Sequence, residues 1–558
     1  MPPRQVLQAV SGLVVGLFVA VLAGTVVSNA LPRITADLGA GQSAYTWVIT
    51  SELLAMTVTV PLWGKLSDLY DKKLLVQLSL GLYVVGSLVA GFSQDVGTLI
   101  LSRVVQGMGA GGLTALTLVV LAAVIPPRKL GRYNGVFGAV LSTATVAGPL
   151  IGGAMVDTPW LGWRWCFFIG VPFALLAIAL LQRTLDLPAG RREVKIDYLG
   201  AFLIVGGVSA LLIWITMAGN RFDWMSWQTA ALAGGGTLLL GIALRVETRA
   251  AEPVVPLSIF RNRTVALTTL ASLLVGVGLF GGTVFLSQFF QVAMGKSPTA
   301  AGLMSLPMVV GSLAASTVAG HLISATGRWK RYLVTGAALM TVGLALLATI
   351  DADTSFGQLG LYMAVLGTGV GLLMQNLVLA AQNDVRAADL GSATSVLSFF
   401  RSMGGTVGTS VLGAVLANRV ASELAAGQAY SGGPSGGDAP DHAVPDVTTL
   451  PAPARTLVEQ AYATATAEIF LWATPFALLA LIAVLFLKEK PLKTTTSTQR
   501  LAEEGVIATG PGRPARTIGA EAARHGRESL TATMTLDVPT RAGSGSGRRG
   551  IEESQRDE

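Results

Sequence analysis

The feature that most limits what this chain can become is a succession of uncharged apolar runs, each about as long as a bilayer is thick. A hydrocarbon core of about 30 Å needs about 20 helical residues. Runs of that kind fall near residues 8–30, 44–62, 75–92, 99–124, 134–156, 164–182, 198–218, 228–246, 265–290, 300–324, 332–350, 357–381, 393–417 and 467–487. They are continuous and do not alternate with period two, so helices are expected and not barrel strands. The first is too long for a cleaved signal peptide, and further runs follow at once. With 52% hydrophobic and 13% charged residues, the charged share is about half that of a soluble domain. The fold class that follows is all-α: a polytopic membrane protein with 14 transmembrane helices.

The net charge of +7 suggests nucleic acid until its distribution is examined. With an even number of spans both termini share one side, and placing them in the cytoplasm sorts the basic residues. The interior loops then hold 18 Lys and Arg, among them Lys65, Arg128, Arg183, Arg245, Arg328 and Arg386, and the exterior loops hold 6. Such sorting is the signature of a multi-pass protein of the cell membrane, so no nucleic-acid partner is expected. From Lys488 onward the chain carries 12 Lys/Arg and 10 Asp/Glu in 71 residues and few large apolar ones. That tail, 488–558, is read as disordered and cytoplasmic. The long exterior loop 418–466 contains a Gly/Pro/Ser-rich stretch and is read as mobile. The single cysteine, Cys166, and three scattered histidines offer no disulfide or metal site.

An internal echo organises the spans. Gly64-Lys65-Leu66-Ser67-Asp68-Leu69-Tyr70-Asp71-Lys72 follows span 2, and Gly320-His321-Leu322-Ile323-Ser324-Ala325-Thr326-Gly327-Arg328 follows span 10. Both read Gly-x-Leu, then a turn, then a basic residue at the ninth position. Residues 1–182 (spans 1–6) and 265–487 (spans 9–14) are therefore read as two six-helix pseudo-repeat halves, with two inserted helices and their flanking loops in 183–264. Two such halves facing a central cavity suggest a transporter that rocks about a midplane site.

Several motifs then resemble those of the major facilitator superfamily. Gly64-x-Leu66-x-Asp68 with Lys72 and Lys73 resembles its loop 2–3 signature, and the Arg103-Val104-Val105-Gln106-Gly107 stretch resembles its span 4 motif. Ala147-Gly148-Pro149-Leu150-Ile151-Gly152-Gly153 resembles the span 5 motif associated with proton antiporters. Ala30-Leu31-Pro32-Arg33-Ile34 and Trp163-Arg164-Trp165-Cys166-Phe167-Phe168 are similar to segments of the fourteen-span drug:proton antiporter branch, often called EmrB/QacA-like. The resemblance covers roughly residues 8–487. It departs at Ala23 and Gly24, where that branch often has an acid, and at Leu69 and Asp71, where the signature usually has a basic residue and a glycine.

Within the spans one acid stands out. Glu52 lies 12 residues before Gly64, about 18 Å along a helix, which puts it near mid-bilayer. An ionisable group at that depth is expensive and is a functional candidate by default, here a reversible proton carrier able also to attract a cation. The plainer alternative is a packing hydrogen bond. Arg103, the buried cation of span 4, needs a partner or a wet cavity, and Glu52 is the obvious candidate for it. Asp68 is placed to cap a helix start, and the resemblance implies a cytoplasmic gate of Gly64, Asp68, Lys72 and Lys73. The lysines also serve topology. Gly148 and Pro149 are expected to bend span 5, and Gly152 and Gly153 to admit a neighbouring helix. Gln288, Gln291, Gln375 and Asn376, with Phe289 and Met374, and also Phe285, Met304 and Met308, would suit an adaptable substrate cavity. Arg401 is read as snorkelling to the cytoplasmic interface, and Trp47, Trp63, Trp160, Trp163 and Trp165 as interfacial anchors. His321 is read as structural.

No Gly-x-x-x-x-Gly-Lys-Ser/Thr phosphate loop is present, so an ion gradient is the expected energy source. The leading expectation is a non-enzymatic, cofactor-free and monomeric proton-coupled antiporter that exports hydrophobic or cationic drugs or dyes. Its partners are an amphipathic small molecule, protons and the lipid bilayer. The alternatives are a dedicated exporter of one metabolite, antibiotic or lipid, and a non-transporting receptor or scaffold on the same fold.

Overall fold

A computed structural model describes residues 3–38, 42–125, ten positions between 140 and 158, and 161–185, 197–218, 222–250, 253, 255, 257–296, 298–431 and 451–495. These lie in the unit Met1–Arg500; the unit Leu501–Glu558 falls outside the described residues, and with it most of the expected tail. In chain order the helices are α1 (Pro3–Asp37), α2 (Gln42–Leu69), α3 (Lys72–Gly91), α4 (Val96–Val124), α5 (Trp165–Thr184), α6 (Tyr198–Met217), α7 (Trp227–Glu247), α8 (Arg263–Gln288), α9 (Ala300–Thr326), α10 (Lys330–Leu347), α11 (Phe356–Asp384), α12 (Leu390–Ser431) and α13 (Ala452–Leu485). Most of the described positions from 140 to 156 are also helical. Among the described residues no strand forms beyond one isolated bridge, Ala218–Phe222.

Short polar residues start these helices where the apolar runs begin. Asp71 caps α3 by accepting the Lys73 N–H at 2.8 Å, Asp95 caps α4 through Thr98 at 2.8 Å, and Asn262 caps α8 through Thr264 at 2.9 Å. Each cap satisfies a donor that the helix cannot satisfy itself. Gly327, at φ +72°, ends α9 in the left-handed conformation that suits glycine.

Eight of the helices are long and apolar enough to cross a membrane, and α1, α6 and α8 each contain a shorter apolar stretch. The polar residues within α2 and α12, including the buried Glu52 and Arg401, lower their hydropathy. α2 and α3 pack on α4, and α1 on α5; α8 packs on α12 and α13, and α9 and α10 on α11. α6 and α7 pair with each other, and α6 also touches α2 and α12. The main contact between the early and late helices is α2 against α12. Large apolar side chains such as Leu74, Leu78, Val85, Phe202, Leu238 and Leu361 lie exposed on the outside, as a lipid-facing surface requires.

Candidate functional site

Glu52 on α2 is 5% exposed and Arg103 on α4 is 1% exposed, and they form a salt bridge inside the bundle. Arg103 Nη2 donates to Glu52 Oε2, Nη1 donates to Gln106 Oε1, and Nε donates to the Val48 carbonyl at 3.2 Å. Gln106 passes the network on, its Nε2 donating to Ser87 Oγ on α3 at 2.8 Å. The Phe167 ring closes one side, with its centroid 5.8 Å from the guanidinium carbon. Three helices thus share one polar cluster, and each of its ionic groups has a partner, which is what makes burial of charge tolerable.

This closeness depends on Gly107, whose importance to the pair spacing alone did not reveal. A Cβ there would overlap the Glu52 carbonyl oxygen, so the absent side chain lets the α2 backbone come against α4 at the level of the pair. The signal was present as the glycines Gly107 and Gly111, four residues apart, which both meet the α2 backbone, while Gly109 meets α3. Gly112 likewise makes room for Trp63, whose Nε1 donates to the Met108 carbonyl at 2.9 Å. Trp63 and Trp163 are buried, and the second donates to Asp37 Oδ2 at 3.0 Å. Both indoles therefore tie segments of the protein together in its interior. Trp160 lies outside the described residues, and Trp165 is exposed.

At the end of α2, beyond its apolar run, Asp68 reaches the start of α12. Its Oδ1 accepts the Gly391 N–H at 2.9 Å, and its Oδ2 accepts the Ser392 N–H at 2.9 Å and the Ser392 hydroxyl at 2.8 Å. The carboxylate caps a helix more than 320 residues away in sequence and faces the positive end of its dipole. Burial pushes the Asp68 carboxyl up to about 6 against the opposing pull of Lys72 and these hydrogen bonds. Gly64, one turn earlier, lies so close to α12 that a Cβ would overlap Ser395. Lys73 turns away, its Nζ donating to the Gln182 carbonyl at the end of α5 at 2.8 Å.

The remaining candidates scatter. Gly148 and Gly152 lie against Thr25 and Val26 of α1, so α1 is the helix they admit; Pro149 and Gly153 lie outside the described residues. Phe289 and Gln291 sit in a π-turn after α8, and Gln288 ends that helix. Gln375 and Asn376 are buried mid-α11, where Asn376 bonds its own Leu372 carbonyl at 2.7 Å. Gln288 and Gln291 thus lie at the end of α8 and just beyond it, and Gln375 and Asn376 within α11. Met374 is half-buried. His321 bonds its own helix through Thr317 at 2.9 Å. Arg401 does not snorkel: it is only 9% exposed, because α12 carries it between neighbouring helices.

The helix arrangement is that of a membrane-transporter fold. It resembles the proton:xylose symporter XylE bound to 6-bromo-6-deoxy-D-glucose, at 14% identity and a TM-score of 0.56, covering 90% of this chain and all of that one. An uncharacterized MFS-type transporter of Mycobacterium tuberculosis is 37% identical over 485 residues, 86% of this chain and 69% of its own. The multidrug transporter protein MdtP of Bacillus subtilis is 34% identical over 456 residues, 81% of this chain and 80% of its own. The profile of the Major Facilitator Superfamily matches residues 13–409. The chain belongs to the Major Facilitator Superfamily, whose members are transporters and not enzymes.

Proposed function

We propose that the protein is a proton-coupled antiporter that exports hydrophobic, amphipathic compounds, drugs or dyes among them, across the cell membrane. In this reading fourteen helices cross the bilayer with both termini cytoplasmic. Residues 1–182 and 265–487 are two rocking halves around the inserted pair in 183–264. The likeness to a multidrug transporter supports the substrate class.

The observation that carries the reading is the Glu52–Arg103 pair, buried inside one bundle, at a position whose distance from Gly64 along α2 suits mid-bilayer depth. When a proton arrives on Glu52, Arg103 keeps Val48, Gln106 and the Phe167 ring as partners, so the cation is not stranded. When the proton leaves, the ion pair re-forms. Alternating access would expose the pair to one side at a time, while Asp68 on the start of α12 holds the cytoplasmic side shut and Gly64 allows the contact. Gly148 and Gly152 keep span 5 tight against α1 as it moves.

The test is proton flux in liposomes containing the full-length protein, driven by a panel of amphipathic dyes. Dye-driven flux is expected in the wild type and its loss in Glu52→Gln. Undiminished coupled flux in that variant would refute the assignment.

A further inference from the structure

Two arginines are buried among the described residues. Arg103 has its carboxylate, whereas Arg401, a third of the way along the apolar part of α12, has no acidic partner and no hydrogen bond among the described residues. A lone guanidinium in a membrane bundle is expensive to keep. Three other buried polar groups of the same region also lack partners: Gln375 Oε1 on α11, Ser398 Oγ on α12 and Thr269 Oγ1 on α8.

The helix register brings these four together. Gln382 Nε2 donates to Thr394 Oγ1 at 3.0 Å, which fixes where antiparallel α11 and α12 meet. Seven residues further from the cytoplasmic end on each helix stand Gln375 and Arg401. Seven residues are almost two full turns, so both remain on the faces that carry the Gln382–Thr394 bond. Gly276 packs on the Arg401 carbonyl and on Gly405, and the Gly276–Gly405 offset sets Ser398 level with Thr269. Gln382 also approaches the Leu118 carbonyl at 3.5 Å, so α4 lies against this part of α11. Phe399 and Phe400 follow Ser398, stacked edge to face at 5.3 Å, and Phe260 stacks on Phe400 at 6.4 Å.

We propose that Arg401, with Gln375, Ser398 and Thr269, is an oxyanion subsite that takes the carboxylate, sulfonate or phosphate of an amphipathic molecule whose apolar body lies on the aromatic residues beside it. The guanidinium fork matches two oxygens of such a group, and the hydroxyls and the amide can donate to it as well. Because Glu52 is already neutralised by Arg103, the uncompensated charge of this polar interior is positive. The selected substrate is therefore an amphipathic anion and not a cation. This inference rests on the transport reading above and narrows its substrate class.

The test is equilibrium binding to the full-length protein in phosphatidylcholine nanodiscs, with no proton gradient. Two matched fluorophores serve as ligands, anionic dansylglycine and cationic dansylcadaverine. Dansylglycine is expected to bind the wild type more tightly. Arg401→Gln should weaken it about tenfold to a hundredfold, the span expected for losing charge-assisted hydrogen bonds. Arg401→Lys should restore part of that loss, and Gln375→Leu should weaken it independently. Dansylcadaverine should respond to none of these changes. The thermal midpoint of Arg401→Gln should equal or exceed that of the wild type, because an unpaired buried charge has been removed. Admixed phosphatidylglycerol that competes with dansylglycine in the wild type would identify a lipid headgroup as the oxyanion source; absence of competition would identify a soluble molecule. Dansylglycine affinity unchanged by both Arg401→Gln and Gln375→Leu, or wild-type preference for dansylcadaverine, overturns the subsite. Failure of the proton exchange at Glu52 would instead appear as uncoupled flux with these affinities intact.

Discussion

Replacing Asp68 with asparagine isolates what its carboxylate contributes where α2 meets α12. The carboxylate accepts three hydrogen bonds, two from the Gly391 and Ser392 amides and one from the Ser392 hydroxyl. Asparagine keeps one acceptor oxygen and turns an NH2 group toward the remaining donors. A charge-assisted hydrogen bond contributes about 1.5–3 kcal/mol and a neutral one about 0.5–1.5. Losing the charge and one acceptor oxygen, less the water that can enter a half-buried site, comes to about 2 kcal/mol. That shifts the balance between closed and open cytoplasmic arrangements about thirtyfold. The readout is Ser395, which is 1% exposed behind the junction. In a Cys166→Ser background, the rate at which a maleimide labels Ser395→Cys from the cytoplasmic side should rise by about that factor when Asp68→Asn is added. A change under threefold, with the protein still folded, would show that the contact is packing alone and that the capping arithmetic is wrong.

Arg103→Met leaves Glu52 buried without its cation and should cost about 3–5 kcal/mol of stability, read as a lower unfolding midpoint that Glu52→Gln partly restores. Gly107→Leu drives a side chain into the Glu52 carbonyl and should destabilise by about 1–3 kcal/mol or more, with coupled flux lost alongside. Glu489 accepts the Trp329 N–H at 2.8 Å and the Lys330 N–H at 3.1 Å at the start of α10; Glu489→Ala removes this cap and should cost about 1 kcal/mol, visible as faster tryptic cleavage after Lys488.

The chain announced its helices because lipid imposes a length and an apolarity that can be read residue by residue. Glu52 and Arg103 stood out for the same reason, as charges where charges are costly. Their pairing was only a candidate contact, since it depends on the rotation of α2 against α4, which Gly107 sets through a backbone approach that no periodicity encodes. The partner of Asp68 was illegible because Gly391 and Ser392 are more than 320 residues distant, and only the docking of α12 brings them near. Arg401 was misread because distance from a span end was taken as depth, whereas its surroundings depend on which helices flank α12.

The buried pair has an electrical consequence. With both members charged it carries no net charge, so a tilt that moves it across the membrane field does little work. Once Glu52 holds a proton, the same cluster is a single cation, and a full crossing exchanges about 2.3 kcal/mol with every 100 mV. A negative cytoplasm then pulls the loaded cluster inward and leaves the empty one almost indifferent, so in the proposed cycle voltage acts on one half of the stroke only.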